Sequence, residues 1–270
     1  MENLLLFLVV IIITAMAAGF AAGLLGIGGG MIIVPVLFNV LGFMGYSDDI
    51  AYKVSIGTSL ATIIVTGFRS AQGHLHHDAV DIPLLRRWAT PIIVGSFLGG
   101  IITRYISVEY LLIVFVVVII YAAANLWKKE TKVIADEMPE NWFCYGVFPA
   151  IVGFVSTFMG IGGGTLSTPL LAAYGRSIHK SIGTAAAIGV LIAISSTIAM
   201  IIAGLGVEGR PHFSLGYVNM LIWICFIPIT AFMAPLGAKV AHKISPFVLK
   251  RIFACFLIVS ALRMIYKLLV

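Results

Sequence analysis

Charge is what this sequence has least of. Asp, Glu, Lys and Arg make up 10% of its 270 residues, against 61% apolar. A water-soluble domain carries roughly a quarter charged residues and about half apolar ones, so this chain cannot clothe a water-facing surface. Its mean hydropathy of +1.11 points to lipid as its solvent. Cysteine is also scarce. Cys144, Cys225 and Cys255 stand far apart in apolar runs, which excludes a disulfide framework and a metal-type spacing. They read as small buried hydrophobes. The 11 carboxylates all lie in or beside loops, so no acidic relay sits inside an apolar run. A GxxxxGK[ST] phosphate loop is missing, so ATP is not hydrolysed by this chain. No catalytic constellation and no cofactor are expected, and the chain is not read as an enzyme.

The apolar stretches are continuous rather than alternating, which selects membrane helices over barrel strands. The formal charge of +6 is scattered through short loops between these stretches. That pattern suits cytoplasmic loops and anionic headgroups, not nucleic acid. Residues Met1–Ala18 have the length of a signal peptide but only Glu2 ahead of the apolar run, which continues to Leu41. They are read as a first membrane segment that is kept.

Two uncharged runs are too long for one crossing. Leu4–Leu41 as a single helix would reach about 57 Å, nearly twice a hydrocarbon core. Trp142–Gly175 has the same problem. Each is interrupted by a glycine cluster and then a proline, so each is expected to be a helix, a break, and a short helix that folds back.

The chain repeats itself. GFAAGLLGIGGGMIIVP (19–35) matches GFVSTFMGIGGGTLSTP (153–169) at a separation of 134 residues. KVSIGTS from Lys53 matches HKSIGTA from His179. His74 aligns with His212, and SFLGGIITRYIS from Ser96 with APLGAKVAHKIS from Ala234, both at a separation of 138. The expected organisation is a first transmembrane repeat (1–127), a hydrophilic linker (128–141) and a second repeat (142–270). If each glycine-bearing stretch returns to its starting side, the loops at 69–87, 128–141, 176–180 and 239–251 share one face and hold 12 of the 17 Lys and Arg. If each crosses once, the split is 9 against 8. The positive-inside rule favours the first arrangement. The fold is therefore read as an all-α polytopic membrane protein. It has two inverted-topology repeats, each a broken, re-entrant glycine-rich hairpin plus about three transmembrane helices. Both termini are expected outside.

The paired glycine signatures, the two SIGT segments and the turns GHLHHDAVD and SLGYVN resemble the sulfite exporter TauE/SafE family of membrane transporters over almost the whole chain. The resemblance implies a multi-pass permease of the cell (inner) membrane. Its implied cargo is sulfite, an organosulfonate or another small sulfur-containing anion. Substrate, direction, coupling to protons or ions, and homo-oligomer formation stay open. An anion channel and a carrier of carboxylates or other small anions are the competing readings.

The glycines Gly26, Gly28, Gly29 and Gly30, and Gly160, Gly162, Gly163 and Gly164, have two readings. They bare backbone amides at the start of a following helix, where an anion can be held, or they let helices pack closely. The candidate substrate site comprises Gly28, Gly29, Gly30, Ser55, Thr58, Gly162, Gly163, Gly164, Thr165, Ser181 and Thr184. Its hydroxyls either complete an anion's ligand shell or bond their own helix. Thr165, Ser167 and Thr168 stand where the first half has Met31, Ile33 and Val34, so the site is expected to be more polar on the second-half side. Candidates for gating or coupling are Lys53, Arg69, His74, His179, Lys180 and His212. Against them stand interface anchoring for the cations and a solvated loop for the cluster His74, His76, His77 and Asp78. No metal site is assigned.

Overall fold

The computed structural model describes residues 2–25, 29–127, 133–135, 137–241 and 246–269. Ten helices account for nearly all of them. The run Leu4–Leu41 divides into α1 (Glu2–Leu25) and α2 (Gly30–Phe43). Then follow α3 (Asp48–Leu75), α4 (Ile82–Ile102) and α5 (Val108–Trp127). The run Trp142–Gly175 divides likewise. A π-turn at Phe143–Val147 leads directly into α6 (Phe148–Phe158), and α7 is Gly164–Ala173. The chain continues as α8 (Ile178–Gly204), α9 (Met220–Ala241) and α10 (Pro246–Leu269). The turn between α8 and α9 adds a two-residue antiparallel ladder, β1 (Ser214–Leu215) with β2 (Val218–Asn219). Among the described residues, four helices hold stretches long and apolar enough to cross a bilayer: Asp48–Leu75, Val108–Asn125, Ile178–Gly204 and Met220–Gly237.

Helix boundaries follow local chemistry. Asp48 and Asp49 open α3 and complement its positive end. Asp81 caps α4 by accepting the Leu84 amide at 3.2 Å. Asn219 caps α9 by accepting the Ile222 amide at 3.0 Å. Ser177 caps α8 through the Lys180 amide. The short helices α2 and α7 instead start from left-handed glycines, Gly29 at φ 77° and Gly163 at φ 72°, a conformation that L side chains enter only at a cost.

Helices α3 and α8 lie antiparallel at the centre. Gly57, near the start of α3, meets the Tyr217 carbonyl just beyond α8, while Gly183, near the start of α8, meets the Ala79 carbonyl just beyond α3. Helix α1 runs parallel to α9, with Gly19 on Thr230 and Gly23 on Ala234. Helix α6 runs parallel to α4, with Gly95 on Ala150 and Gly99 on Phe154. Helix α5 packs on α10. Lipid offers no hydrophobic drive for helices to associate, so such backbone approaches supply dispersion contact instead.

One of the two parallel contacts is also bonded by hydroxyls. Between α4, α6 and α8, Thr157 and Ser196 share a hydrogen bond of 2.6 Å, and Ser96 pairs with Ser195. In the α1–α9 contact, Gly23 and Ala234 stand where Thr157 and Ser96 would be by the repeat separations. Interhelical bonds of this kind average about 0.6 kcal/mol in membranes, so the α4–α6 seam is the better tied. The interior is otherwise apolar. Tyr52 packs edge-on against Phe38 at 5.3 Å and Phe115 at 6.2 Å. Large apolar side chains such as Ile13, Val117, Ile224, Phe232 and Val259 are exposed, as a lipid-facing surface requires.

The described part of segment 128–141 is docked onto the helices. The Ile134 amide donates to the Ala173 carbonyl at 2.8 Å, and Met138 is buried with Leu84 and Trp88. Ion pairs join distant parts of the chain at both ends of the bundle: Lys267 on α10 with Asp48 on α3, and Arg176 before α8 with Asp81 before α4.

The cap at Asn219 yields a stability prediction. Asn219→Ala removes the acceptor for Ile222 and should cost about 1 kcal/mol, read as an earlier thermal midpoint of the purified protein in detergent. Asn219→Asp keeps the acceptor and should recover most of the loss. An alanine variant that melts with the parent would show that the cap contributes nothing.

Candidate functional site

The two helix interruptions meet. A Cβ placed on Gly30, the first residue of α2, would strike the carbonyl oxygen of Gly160, where α6 has just ended. One placed on Gly160 would stand 2.7 Å from Val34 of α2. Thr165 on α7 points its hydroxyl at the sulfur of Met31 on α2, 3.8 Å away, and these two residues are 134 apart, the separation of the glycine signatures. Gly29, Gly30 and Gly160 to Thr165 are all buried. Gly26 and Gly28 lie outside the described residues.

Breaking a helix away from water frees backbone groups that must find partners. At the second interruption they largely do. Gly160 donates to the Thr157 carbonyl and Ile161 to that of Ser156, both at 3.0 Å. Ser59 on α3 donates to the Gly160 carbonyl at 2.8 Å. At the start of α7, Gly163 accepts from Leu166 and Ser167. The amides of Gly164 and Thr165 have no acceptor among the described residues. Gly29 plays the same part for α2 by accepting from Ile32 and Ile33. Pro35 and Pro169 each stand six residues after the left-handed glycine. Lacking an N–H, each leaves the carbonyl four residues before it, Met31 and Thr165, without its usual helical partner. Among the described residues α7 thus begins with bare amides, and in each short helix one carbonyl a turn later lacks its i+4 donor.

The remaining expected residues divide into groups. Gly162 packs on Gly189 of α8. Ser55 and Ser181, equivalent by the repeat, both bond back one turn, to Ala51 at 2.6 Å and Ser177 at 3.0 Å. Thr58 and Thr184, also equivalent, accept the amides of the two capping residues, Asn219 at 3.0 Å and Asp81 at 2.8 Å. The SIGT segment is therefore a dock. Its glycine admits the carbonyl of the facing turn, and its threonine holds the residue that starts the next helix. The separation of 138 that aligns His74 with His212 also aligns Asp81 with Asn219, which was the signal for this pairing in the sequence.

The cations and histidines stand away from the interruptions. Lys53 is buried and engaged, with Asp49 at 2.8 Å and the Arg104 carbonyl at 3.2 Å. Arg69, His179 and Lys180 are exposed. His74 is half-buried, with its Cβ against Gly183. His212 is exposed, and its carbonyl accepts from the Asn219 side chain at 3.0 Å. His76, His77 and Asp78 are exposed in the α3–α4 turn. Among the described residues no cluster of His, Cys, Asp or Glu has metal-ligand geometry.

A charged cavity of about 270 Å³ opens where α4 starts, lined by Asp81, Arg87, Glu137, Glu140, Tyr145 and Arg176 among others. Asp81 pairs with Arg176 at 2.9 Å and Arg87 with Glu140 at 2.6 Å. The second pair is exposed and worth little by itself. Both charge signs line this cavity, and the ion pairs tie the start of α4 to the α7–α8 turn and to segment 137–140.

The sulfite exporter TauE/SafE family matches residues 11–264 of this chain. A "probable membrane transporter protein" of Haemophilus influenzae is 32% identical over 264 residues, covering 97% of this chain and 99% of its own. Another from Methanocaldococcus jannaschii is 27% identical, covering 90% and 89%. A third, "probable membrane transporter protein YunE" of Bacillus subtilis, is 25% identical, covering 96% and 97%. No solved structure matches. The chain belongs to the sulfite exporter TauE/SafE family, and is a multi-pass membrane transporter rather than an enzyme.

Proposed function

We propose that this chain is a secondary transporter of a small sulfur-containing anion, such as sulfite or an organosulfonate, bound beside the two helix starts at Gly29–Gly30 and Gly163–Gly164. The observation that carries this reading is the contact of Gly30 with Gly160, which brings both interruptions to one place. Broken helices in corresponding positions of two halves are how secondary transporters build a substrate site. Bare amides at a helix start favour an anion without a fixed positive charge. Such a site holds its cargo weakly enough to release it.

The same reading takes residues 1–127 and 142–270 as inverted repeats. The antiparallel course of α3 and α8 supports inversion. So do the matched contacts of α1 with α9 and α6 with α4. Alternating access then exposes the site to either face by moving one half against the other. The 12 Lys and Arg gathered in the loops at 69–87, 128–141, 176–180 and 239–251 place those loops in the cytoplasm.

Two measurements test this. In proteoliposomes, sulfite flux should saturate with concentration, and acetate should compete poorly with it. Flux that rises linearly with driving force, as an ohmic current does, would replace the carrier by a channel. For topology, single cysteines at Gln72 and Ser177, in a chain freed of Cys144, Cys225 and Cys255, should react with an impermeant maleimide from the cytoplasmic face. Cysteines at Tyr105 and Glu208 should react from the other face. Labelling of Gln72 and Ser177 from opposite faces contradicts the inverted arrangement, because a single crossing by each glycine-bearing stretch would part them.

A further inference from the structure

Hydroxyls in this protein have a habit. Ser55, Thr62, Thr66, Ser96, Thr103, Thr157, Ser181, Ser195 and Thr230 each donate to the carbonyl four residues back. Ser167 has the same option, because the Gly163 carbonyl stands four residues behind it. It does not use it. Its hydroxyl has no partner, although the residue has no exposed surface. An unpartnered buried hydroxyl is costly, and here a relieving bond lies one rotamer away.

Ser167 sits in the second turn of α7, and helical side chains lean toward the helix N-terminus. Its hydroxyl therefore leans toward the end of α7 where the amides of Gly164 and Thr165 lack acceptors. A second orphan stands by the same wall. The indole N–H of Trp88, also with no exposed surface, has no partner. Trp88 belongs to one buried apolar cluster with Leu171, Ile188 and Ile192. Leu171 is one turn after Ser167 on the same face of α7. Ile188 and Ile192 are the side chains that a Cβ on Gly163 would meet. The wedge between α4, α7 and α8, beside the start of α7, is thus faced by two buried donors with nothing to donate to.

The repeat-related wedge lacks both. By the separations of 134 and 138, Ile33 stands for Ser167 and Phe226 for Trp88, and both are buried in the apolar core. An indole N–H only donates, so this pair does not suit a cation. It suits an acceptor.

We infer that the Ser167 hydroxyl and the Trp88 indole N–H, beside the free amides of Gly164 and Thr165, bind an oxygen of the transported anion. The site is then one-sided: one of the two repeat-related wedges holds both side-chain donors, Ser167 from the second half and Trp88 from the first, and the other wedge is apolar. This rests on the anion-transport reading above and gives that reading its specificity. A ligand with several acceptor oxygens can engage more of these donors at once than a spherical halide, so oxyanions should bind more tightly than halides.

The test uses the full chain in detergent and in proteoliposomes, with sodium sulfite as probe and sodium chloride as the matched salt. Sulfite should raise the thermal midpoint of the parent protein more than chloride does at equal concentration. Ser167→Ala removes an unsatisfied group, so without sulfite it should melt at or above the parent. Its sulfite affinity should fall about tenfold, as loss of one hydrogen bond to a charged group implies. Trp88→Phe keeps most of the ring and removes the N–H, and should weaken sulfite binding similarly. If Ser167→Ala melts well below the parent without sulfite, or binds sulfite as the parent does, the inference is overturned. If the parent neither binds sulfite nor carries it with saturation, the anion-transport reading itself fails, and this inference fails with it.

Discussion

An interrupted backbone inside a bilayer must satisfy its own polar groups, and this chain interrupts itself twice. The structure answers by bringing the two interruptions together and burying them. Gly30 lies on Gly160, and Ser59 from the other half takes the carbonyl that the end of α6 leaves bare. Most other features serve this contact. Helices α3 and α8 cross beside it, and α1–α9 and α6–α4 carry the helices that lead into it. The left-handed glycines let α2 and α7 begin within it.

Around that centre the two halves are alike in backbone and unlike in chemistry. Both dock the turn ahead of the fourth helix of the half onto a SIGT segment, glycine to carbonyl and threonine to capping amide. Hydroxyl bonds tie α4, α6 and α8 together, whereas in the α1–α9 contact Gly19 lies on Thr230 and Gly23 on Ala234. Ser59 has no counterpart, since Ala185 occupies its place in the second SIGT segment. A transporter whose halves were chemically identical would hold its cargo equally from both sides. Here Ser167 and Trp88 stand at one set of repeat-related positions and the apolar Ile33 and Phe226 at the other.

Much of this was legible in the residues. The over-long apolar runs forced a break, because a helix of that length overshoots the hydrocarbon core. Glycine followed by proline marked where each break falls, and the repeat separations carried the first half onto the second. The hydroxyls were less legible. Ser55 and Ser181 look like ligands in sequence, yet a serine inside a helix can always bond its own backbone, and here both do. Lys53 looks like a free charge near a helix start, yet Asp49 one turn before it and the Arg104 carbonyl hold it.

By itself the sequence determined the solvent, the helices and their breaks. Each of these depends on composition or on residues close together along the chain. The tertiary structure alone decided that the two breaks touch, that SIGT is a dock for a turn, and which hydroxyls are left without partners. Those outcomes depend on residues about 100 or more positions apart, and a hydroxyl's partner is chosen by whatever packs beside it, which no local pattern encodes.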